Sequence, residues 1–304
     1  MLLFQMTSFK QLALIGPTAS GKTALAIQLA HKISANILSL DSLALFKEVN
    51  IASAKPSLEE RDNIKHYGID ELFLNEPFDV TTFIKLYKKA KKESISENKN
   101  LIIVGGTSFY LSSLINGISD LPIISKKAKG KSNELLSNLN SAHKFLNDLD
   151  PKHMSTIKNN DAYRIEKMLN LYFETKLTAS EYFLNNPPIP TIIDNLPIYE
   201  IEVDREILRE RIQKRTNIMI KSGLIDEVIY LERNYTRKPN CMKSIGIKEV
   251  LSYLDGDYRK EEMKEKIVTH TAQLAKRQRT FNRSQFQDKC LLPLQELRDI
   301  LMKL

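Results

Sequence analysis

The chain has 304 residues, a hydrophobic content of 42% and a formal charge of +8 at pH 7. This length and composition suit one large globular domain or two smaller ones, and no apolar run approaches the roughly 18 residues that a membrane-spanning helix needs. We expect a cytoplasmic protein without a membrane partner, because the N-terminal residues lack the basic start of a secretion signal. The two cysteines, Cys241 and Cys290, are far apart, which argues against a disulfide framework or a zinc cluster. The positive charge suits a polyanionic partner, although a lysine-rich proteome would give the same balance.

The first predicted strand, residues 12–15, leads into a glycine-rich turn and then into a predicted helix, residues 23–30. The turn reads Gly16-Pro17-Thr18-Ala19-Ser20-Gly21-Lys22-Thr23 and matches the phosphate-loop pattern G-x-x-x-x-G-K-[ST] at every fixed position. In such a loop, backbone N–H groups and the helix N-terminus point at phosphate oxygens. Lys22 adds a full positive charge, and Thr23 supplies the hydroxyl that can hold a magnesium ion. The pattern predicts a site for a di- or triphosphate without saying how the phosphate is used.

Two further predicted strands end in polar residues. Residues 36–40 end at Asp41-Ser42, and residues 101–104 end at Gly105-Gly106-Thr107. The Asp41 carboxylate could bind magnesium, accept a proton from a bound nucleophile or simply cap a turn. The Gly-Gly-Thr segment could contact a diphosphate or form a tight strand-to-helix turn.

Strands and helices alternate through this part of the chain, with a short extended segment at residues 66–70 and a helix at residues 83–93. The alternation predicts an α/β fold of the P-loop NTPase type, in which helices flank a parallel sheet and ligands bind at the carboxyl ends of the strands. Gly16, Asp41 and Thr107 would then share one edge. No apolar strand ends in the paired acidic residues typical of nucleotide-hydrolysing phosphate-loop proteins, which argues against a motor or a GTPase.

From about residue 123 the pattern becomes helical, and residues 205–221 form a clear helix with Asp204 as its N-cap and Gly223 after its end. We predict three segments: residues 1–122 as the first part of the α/β core, 123–197 as a smaller helical insertion, and 198–304 as a helical part that completes the core. Residues 125–133 carry lysines without an acid and predict a mobile basic loop. Four arginines are candidate phosphate ligands: Arg164, Arg209, Arg211 and Arg215.

The most basic segment is residues 270–285, which contain no acidic residue. On a helix, Lys276, Arg279, Thr280 and Arg283 fall on one face, interleaved with Phe281 and Asn282. Such a face can hold phosphates while a ring or a guanidinium stacks on a base, so the segment predicts an RNA-binding helix. A solvated surface helix is the alternative, although such helices usually carry both signs of charge.

In order along the chain, these motifs resemble those of the tRNA dimethylallyltransferases of the bacterial type, over nearly the whole length. The matching segments are the phosphate loop, Asp41-Ser42, Ala54-Lys55-Pro56, His66-Tyr67-Gly68-Ile69-Asp70, Gly105-Gly106-Thr107-Ser108-Phe109-Tyr110, Gly117-Ile118-Ser119-Asp120-Leu121-Pro122, Ser244-Ile245-Gly246-Ile247-Lys248-Glu249 and Gln273-Leu274-Ala275-Lys276-Arg277-Gln278. A phosphate loop alone is common, whereas this ordered set is specific.

The resemblance implies transfer of a dimethylallyl group from dimethylallyl diphosphate to N6 of an adenosine beside the anticodon, with pyrophosphate leaving and Mg²⁺ assisting. It implies that Asp41 orients the amine and accepts its proton, that Thr107 bonds near the scissile oxygen, and that Lys22 stabilises the leaving diphosphate. The expected partners are dimethylallyl diphosphate and the anticodon stem-loop of tRNA, with a monomeric enzyme.

By position, the resemblance also implies a set of tRNA contacts, some of them in the helical insertion. They are Asp41, Ser42, Leu43, Ala44, Thr107, Lys129, Tyr163, Arg164, Ile165, Glu166, Lys167, Lys243, Ser244, Ile245, Gly246, Ile247, Lys248, Lys276, Arg277, Gln278, Arg279, Thr280, Phe281, Asn282 and Arg283.

The chain departs from the family pattern at three positions: Phe46 and Ile247 each stand where a tyrosine is common, and Tyr67 where a second histidine is common. Two alternative functions share parts of the pattern. A P-loop metabolite or nucleoside kinase would use the same loop for ATP, but small metabolites need no acid-free basic helix. A prenyltransferase that acts on free AMP or ADP would keep the catalytic motifs without needing that helix.

Overall fold

The computed structural model of the protein describes residues 9–304. The chain divides into two compact units: residues up to 112 together with 194–304, and residues 113–193. The boundary between residues 112 and 113 falls within a helix. Each unit has its own buried apolar side chains. No helix among the described residues has the length and apolar character to span a bilayer.

Within residues 9–304, a six-stranded sheet organises the first unit, and all of its strand pairs are parallel. The strands are β1 (Gln11–Ile15), β2 (Ala35–Leu40), β3 (His66–Tyr67), β4 (Asn100–Gly105), β5 (Ile198–Glu202) and β6 (Cys290–Pro293). They lie in the order β3-β2-β4-β1-β5-β6. The almost wholly apolar sequences of β1 and β4 are typical of parallel strands that are covered on both faces.

The register of β4 aligns the ends of its two neighbours. Gly105, the last residue of β4, pairs with Leu40 of β2 on one side and with Ile15 of β1 on the other. The residues that follow these strands, Gly16 and Asp41, therefore emerge at the same edge as the Gly-Gly-Thr turn after β4.

Helices account for most of the remaining chain. They are α1 (Lys22–Lys32), α2 (Val80–Ser96), α3 (Ser108–Asn116), α4 (Lys126–Leu136), α5 (Leu139–Leu149), α6 (Pro151–Met154), α7 (Ala162–Thr175), α8 (Ala179–Asn185), α9 (Arg205–Lys221), α10 (Leu224–Tyr235), a 3-10 turn (Asn240–Lys243), α11 (Ile247–Leu254), α12 (Lys260–Gln285) and α13 (Leu294–Leu301). Side-chain caps explain several of the starts, such as Asp204 at α9, whose carboxylate accepts from the N–H groups of Glu206 and Ile207.

Two buried clusters stabilise the first unit. One joins the sheet to α1, α9 and α12, with Leu14, Leu29 and Ile102 fully buried. The other joins the loop after β2 to α10, α11 and the first half of α12, and its members Val49 and Val250 are fully buried. Because this second cluster holds helices against the loop that follows Asp41, it fixes one side of the functional region.

The second unit is helical. Its cluster is formed by α5, α6 and α7 through Ala142, Leu146, Met154, Ile165 and Leu169. These residues recur at helical spacing, which is the pattern expected of helices that bury one face each.

The predicted α/β fold with flanking helices and a P-loop-type sheet is confirmed, but two expectations from the sequence are wrong. Residues 125–133 do not form a loop, because Ser125 caps α4 by accepting from the Ala128 N–H, and Ala128 and Ser132 are buried. The part after residue 198 is not all helical, because it supplies β5 and β6. The apolar pattern of β5 is interrupted by Glu200, which is nevertheless buried. The division at residues 122 and 197 remains a prediction.

Candidate active site

The phosphate loop turns into α1 at Gly21, whose φ of 97° lies in the left-handed region that favours glycine. Lys22 lies inside this turn: its Nζ donates to the carbonyl of Pro17 at 2.6 Å and to the hydroxyl of Ser20 at 3.3 Å. Burial, and to a smaller extent the nearby guanidinium of Arg215, lowers the pKa of the Lys22 ammonium to about 7. An anion bound in the loop would counter both effects and favour the charged amine.

Arg215 and Arg211, on α9, reach the phosphate loop from outside it. Arg215 donates to the Thr18 hydroxyl at 3.3 Å and to the carbonyl of Ala54 at 3.5 Å. Arg211 donates to the carbonyl of Ser20 at 3.4 Å. Burial lowers the pKa of Arg215, but a guanidinium stays charged at neutral pH. Two of the four arginines predicted as phosphate ligands thus contact the loop.

Gln278, on α12, connects the phosphate loop with the turn after β4. Its Oε1 accepts a hydrogen bond from the Thr18 N–H at 3.0 Å. A Cβ at position 106 would lie 2.3 Å from Gln278 Nε2, so the amide fits here only because Gly106 has no side chain. The family resemblance implies that Gln278 contacts RNA, whereas the structure places it against the loop.

Asp41 is half-buried at the end of β2 and uses one of its two carboxylate oxygens to hold its own loop. Oδ1 accepts from the N–H groups of Leu43 at 2.8 Å and Ala44 at 3.2 Å. Oδ2 accepts no hydrogen bond from residues 9–304. The residue therefore caps a turn, as one alternative from the sequence held, and still has an oxygen available for a ligand.

Thr107 and Tyr110 form the side of the site that follows β4. The Thr107 N–H donates to the carbonyl of Leu40 at 3.0 Å, which joins this turn to the end of β2. The Tyr110 ring stacks on Phe83, with centroids 4.7 Å apart, and meets Phe78 edge-on at 5.5 Å. Burial, with Asp41 nearby, raises the pKa of the Tyr110 phenol to about 12. The sequence analysis missed this aromatic wall, although the Tyr of the Gly-Gly-Thr-x-x-Tyr segment was a signal for it.

Most of these groups, although neither Lys22 nor Arg211, line one cavity of about 1070 Å³ within the first unit. Its polar lining includes Thr18, Asp41, Thr107, Arg215 and Gln278. Its apolar lining includes Phe46, Leu74, Phe78, Ile212, Met219, Ile267 and Leu274. A cavity with both kinds of lining can hold a charged phosphate group and an apolar group at the same time.

Residues 243–248 supply another part of the wall. The members that line the cavity are Lys243, Ser244, Ile245 and Lys248. Gly246 donates its N–H to Glu249 Oε2 at 2.7 Å, and His270 lies 2.6 Å from the other oxygen of Glu249. Ile247 is fully buried and cannot offer its side chain to a ligand.

The basic segment predicted to bind RNA forms the C-terminal half of α12. Lys276, Arg277, Thr280 and Arg283 are exposed, and Arg277 also lines the cavity. Asn282 departs from the prediction: it is fully buried, and its Nδ2 donates to Glu200 Oε1 at 2.7 Å. Its side chain therefore joins α12 to β5 and does not lie on the surface.

The remaining residues predicted to contact tRNA lie in the second unit, and Arg209, a predicted phosphate ligand, lies on α9. Lys129 is exposed on α4, and Tyr163, Glu166 and Lys167 are exposed on α7. Arg164, also on α7, lies 3.5 Å from the carboxylate of Asp161. Ile165 is fully buried, so its side chain is a core residue of this unit. Arg209 is exposed on α9.

The fit of a magnesium ion can be judged from the donors present. No cluster of three or more His, Cys, Asp or Glu side chains suited to a metal lies within residues 9–304. Mg²⁺ often binds through one or two protein oxygens, substrate phosphates and water. The exposed hydroxyl of Thr23, in the first turn of α1, fits that kind of site.

A parallel sheet with a phosphate loop and a facing carboxylate at its carboxyl edge defines an α/β enzyme that acts on a phosphorylated ligand. The family model described as IPP transferase matches residues 44–285. The chain belongs to this family of prenyltransferases.

Close relatives agree with this assignment. The chain is 56% identical to a tRNA dimethylallyltransferase of Sulfurovum sp. (strain NBC37-1), over 97% of this chain and 98% of the relative. It is 54% identical to the enzyme of the same name from Sulfurimonas denitrificans, over 96% of this chain and 98% of the relative.

Solved structures show the same fold. The tRNA isopentenylpyrophosphate transferase of Bacillus halodurans is 26% identical, with a TM-score of 0.70 over 97% of this chain and 94% of that protein. A eukaryotic dimethylallyltransferase, solved acting on tRNA, is also 26% identical, with a TM-score of 0.80 over 93% of this chain and 73% of its own.

Proposed function

We propose that this enzyme transfers a dimethylallyl group from dimethylallyl diphosphate to N6 of the adenosine 3′-adjacent to the anticodon, position 37 of tRNA, and releases pyrophosphate. The observation that carries the proposal is the meeting of a phosphate loop and an available carboxylate oxygen, that of Asp41, at one mixed polar and apolar cavity. The high identity to curated tRNA dimethylallyltransferases supports the same reaction. The kinase and free-nucleotide alternatives receive no comparable support.

The phosphate loop stabilises the leaving group. As the allylic C1–O bond breaks, its electron pair goes to the diphosphate, which gains negative charge. Backbone N–H groups of residues 19–23, the Lys22 ammonium and the Arg215 guanidinium oppose that charge in a partly dry site, where such interactions are strongest. Thr107 lines the same cavity and is the donor proposed for the bridging oxygen.

Asp41 acts on the nucleophile. The adenine amine forms the new N6–C1 bond and must lose a proton as it does so. With Oδ1 held by two backbone N–H groups, Oδ2 keeps a fixed direction, orients the amine and accepts that proton. An adenine reaches a cavity of this kind only after it leaves the stack of the anticodon loop.

Mg²⁺ is the proposed cofactor, and Thr23 is the residue that would hold it beside the diphosphate. When bound, the ion supplies positive charge that stabilises the departing phosphate oxygens. The enzyme is proposed to act as a cytoplasmic monomer.

The proposed tRNA contacts are the exposed basic residues of α12, the cavity-lining residues of 243–248 and the exposed residues of α4 and α7. The α12 surface supports tRNA over free AMP as the acceptor, because a mononucleotide needs no surface of this extent while an RNA backbone does.

A pairwise assay tests the proposal. Dimethylallyl diphosphate and ATP are each supplied with an anticodon stem-loop and with AMP at equal concentrations, and products are separated by mass. We expect N6-prenylated stem-loop as the main product. Phosphoryl transfer from ATP, or prenylation of AMP as fast as of the stem-loop, would contradict it.

A further inference from the structure

Glu227, in the first turn of α10, binds three consecutive backbone N–H groups of a loop more than 170 residues away. Its Oε2 accepts from Asn50 at 2.9 Å and from Ile51 at 2.7 Å, and its Oε1 accepts from Ala52 at 2.9 Å. Hydrogen bonds to a charged acceptor are stronger than neutral ones, and three of them fix the position of the loop.

The same loop contacts Arg215 at its other end. Ala54 has a φ of 46°, in the left-handed region that alanine rarely adopts, so this turn needs support from its surroundings. Its carbonyl lies 3.5 Å from Arg215 Nη2. Within the loop, the Ser53 hydroxyl donates to the carbonyl of Val49 at 2.6 Å and keeps the turn closed.

The loop of residues 50–54 therefore gives the N–H groups of residues 50–52 to a carboxylate on α10, and the carbonyl of Ala54 to a guanidinium on α9. These helices are consecutive, separated only by residues 222–223. The other terminal nitrogen of the Arg215 guanidinium, Nη1, donates to the hydroxyl of Thr18 in the phosphate loop at 3.3 Å. A continuous set of hydrogen bonds thus runs from Glu227 through the loop to Arg215 and on to the phosphate loop.

We propose that Glu227 is a positioning residue for diphosphate: by fixing residues 50–54, it holds the Ala54 carbonyl where it aims the Arg215 guanidinium at the phosphate loop. The inference rests on the proposed function, in which Arg215 binds the diphosphate. Glu227 itself lies outside the set of residues that line the cavity. A change at Glu227 should alter diphosphate affinity only through Arg215.

A double-mutant cycle tests this. The dissociation constant for inorganic pyrophosphate and the KM for dimethylallyl diphosphate and for the stem-loop are measured for Glu227→Ala, Arg215→Met and the double variant. We expect Glu227→Ala to weaken pyrophosphate binding about tenfold, the size of one charge-assisted contact. In the Arg215→Met background the same change should have almost no effect, and the KM for the stem-loop should stay within about twofold throughout.

Two controls separate positioning from stability. Asp226→Asn removes the same charge from the same turn of α10, on an exposed residue, and should leave pyrophosphate binding unchanged. Glu227→Gln keeps the size of the side chain and tests the charge if the alanine variant folds poorly, as judged by its melting temperature.

The outcomes are distinct. Equal effects of the Glu227 variants with and without Arg215, or a lowered melting temperature with unchanged pyrophosphate binding, would overturn the inference. Pyrophosphate binding with the expected coupling but without transfer to the stem-loop would overturn the proposed function and leave the inference standing.

Discussion

Lys22 is buried in the phosphate loop beside Arg215, and both facts lower the pKa of its amine, to about 7. A bound diphosphate has the opposite effect, because its negative charge favours the ammonium form. Binding of diphosphate should therefore change the protonation of Lys22 at pH values near neutrality. The consequence is a pH dependence that a lysine with its ordinary pKa would not have.

We predict that pyrophosphate binding adds a proton to Lys22 at pH 8, where most of the free amine is neutral, and adds almost none at pH 6, where it is already charged. Titration calorimetry in buffers of different ionisation enthalpy measures the proton uptake. Lys22→Arg is the control, because arginine stays charged and its variant should lack this contribution. The same proton uptake in wild type and Lys22→Arg would refute the prediction.

The two carboxylate oxygens of Asp41 have different roles. Oδ1 holds the turn after β2, and Oδ2 is proposed to accept the proton of the amine. Asp41→Asn retains an oxygen for the N–H groups of Leu43 and Ala44 but loses the basic group. We expect single-turnover transfer to fall by about 10²- to 10⁴-fold, the usual contribution of a positioned general base. The affinity for tRNA and the melting temperature should change little. Transfer at the wild-type rate would leave Asp41 as a turn cap only.

At the scale of elements, α12 has different neighbours on its different faces. Gln278 contacts the phosphate loop and Asn282 is bound to Glu200 of β5, while Lys276, Arg277 and Arg283 face solvent. One helix thus joins the phosphate loop to the surface proposed for RNA. Damage to its buried contacts and loss of its exposed charges should give different defects.

Neutralising Lys276, Arg277 and Arg283 together should weaken tRNA binding and flatten its salt dependence. Each lost phosphate contact should reduce the slope of log K against log salt concentration by roughly 0.7–0.9. Filter binding across a range of salt concentrations measures the slope. Pyrophosphate affinity should change much less than tRNA affinity, because only Arg277 of the three residues lines the cavity.

A matched control for that surface is the neutralisation of Lys85, Lys88 and Lys89, which are exposed on α2. This substitution removes the same amount of positive charge from a different helix. If this variant lowers the salt slope as much as the α12 variant does, the effect reflects total charge and the α12 surface is not the RNA site.

At the scale of the whole molecule, short sequence patterns predicted those elements that depend mainly on contacts between neighbouring residues. The phosphate loop, the end of β2 and the turn after β4 were found because glycines and polar residues follow apolar strands. The strand β5 was missed because its buried charge, Glu200, is satisfied by Asn282 and lies near Lys289, partners more than 80 residues away. The helix α4 was missed because it buries only two small residues, Ala128 and Ser132. Among the lysines, these two residues are too few to give a visible apolar periodicity.

The same limit applies to the site. Residue types and spacing predicted that Gly16, Asp41 and Thr107 lie at one edge of the sheet. Nothing local in the sequence indicates that Gln278 lies against Thr18 or that Glu227 holds residues 50–52, because those contacts exist only after distant helices have packed. Conversely, the family resemblance placed Asn282 among the RNA contacts, although its hydrogen bond to Glu200 holds it in the interior.

The hydrogen bond between Thr18 and Gln278 joins residues 260 positions apart, and β1 pairs with a strand that begins at residue 198. During synthesis the phosphate loop leaves the ribosome among the first residues, long before α9 and α12 exist to complete its surroundings. Early domains can fold while the rest is being made, yet contacts of such long range form late. A nascent chain therefore carries a recognisable phosphate loop without a working site, and the ability to act on substrate is acquired only when nearly the whole polypeptide has been made.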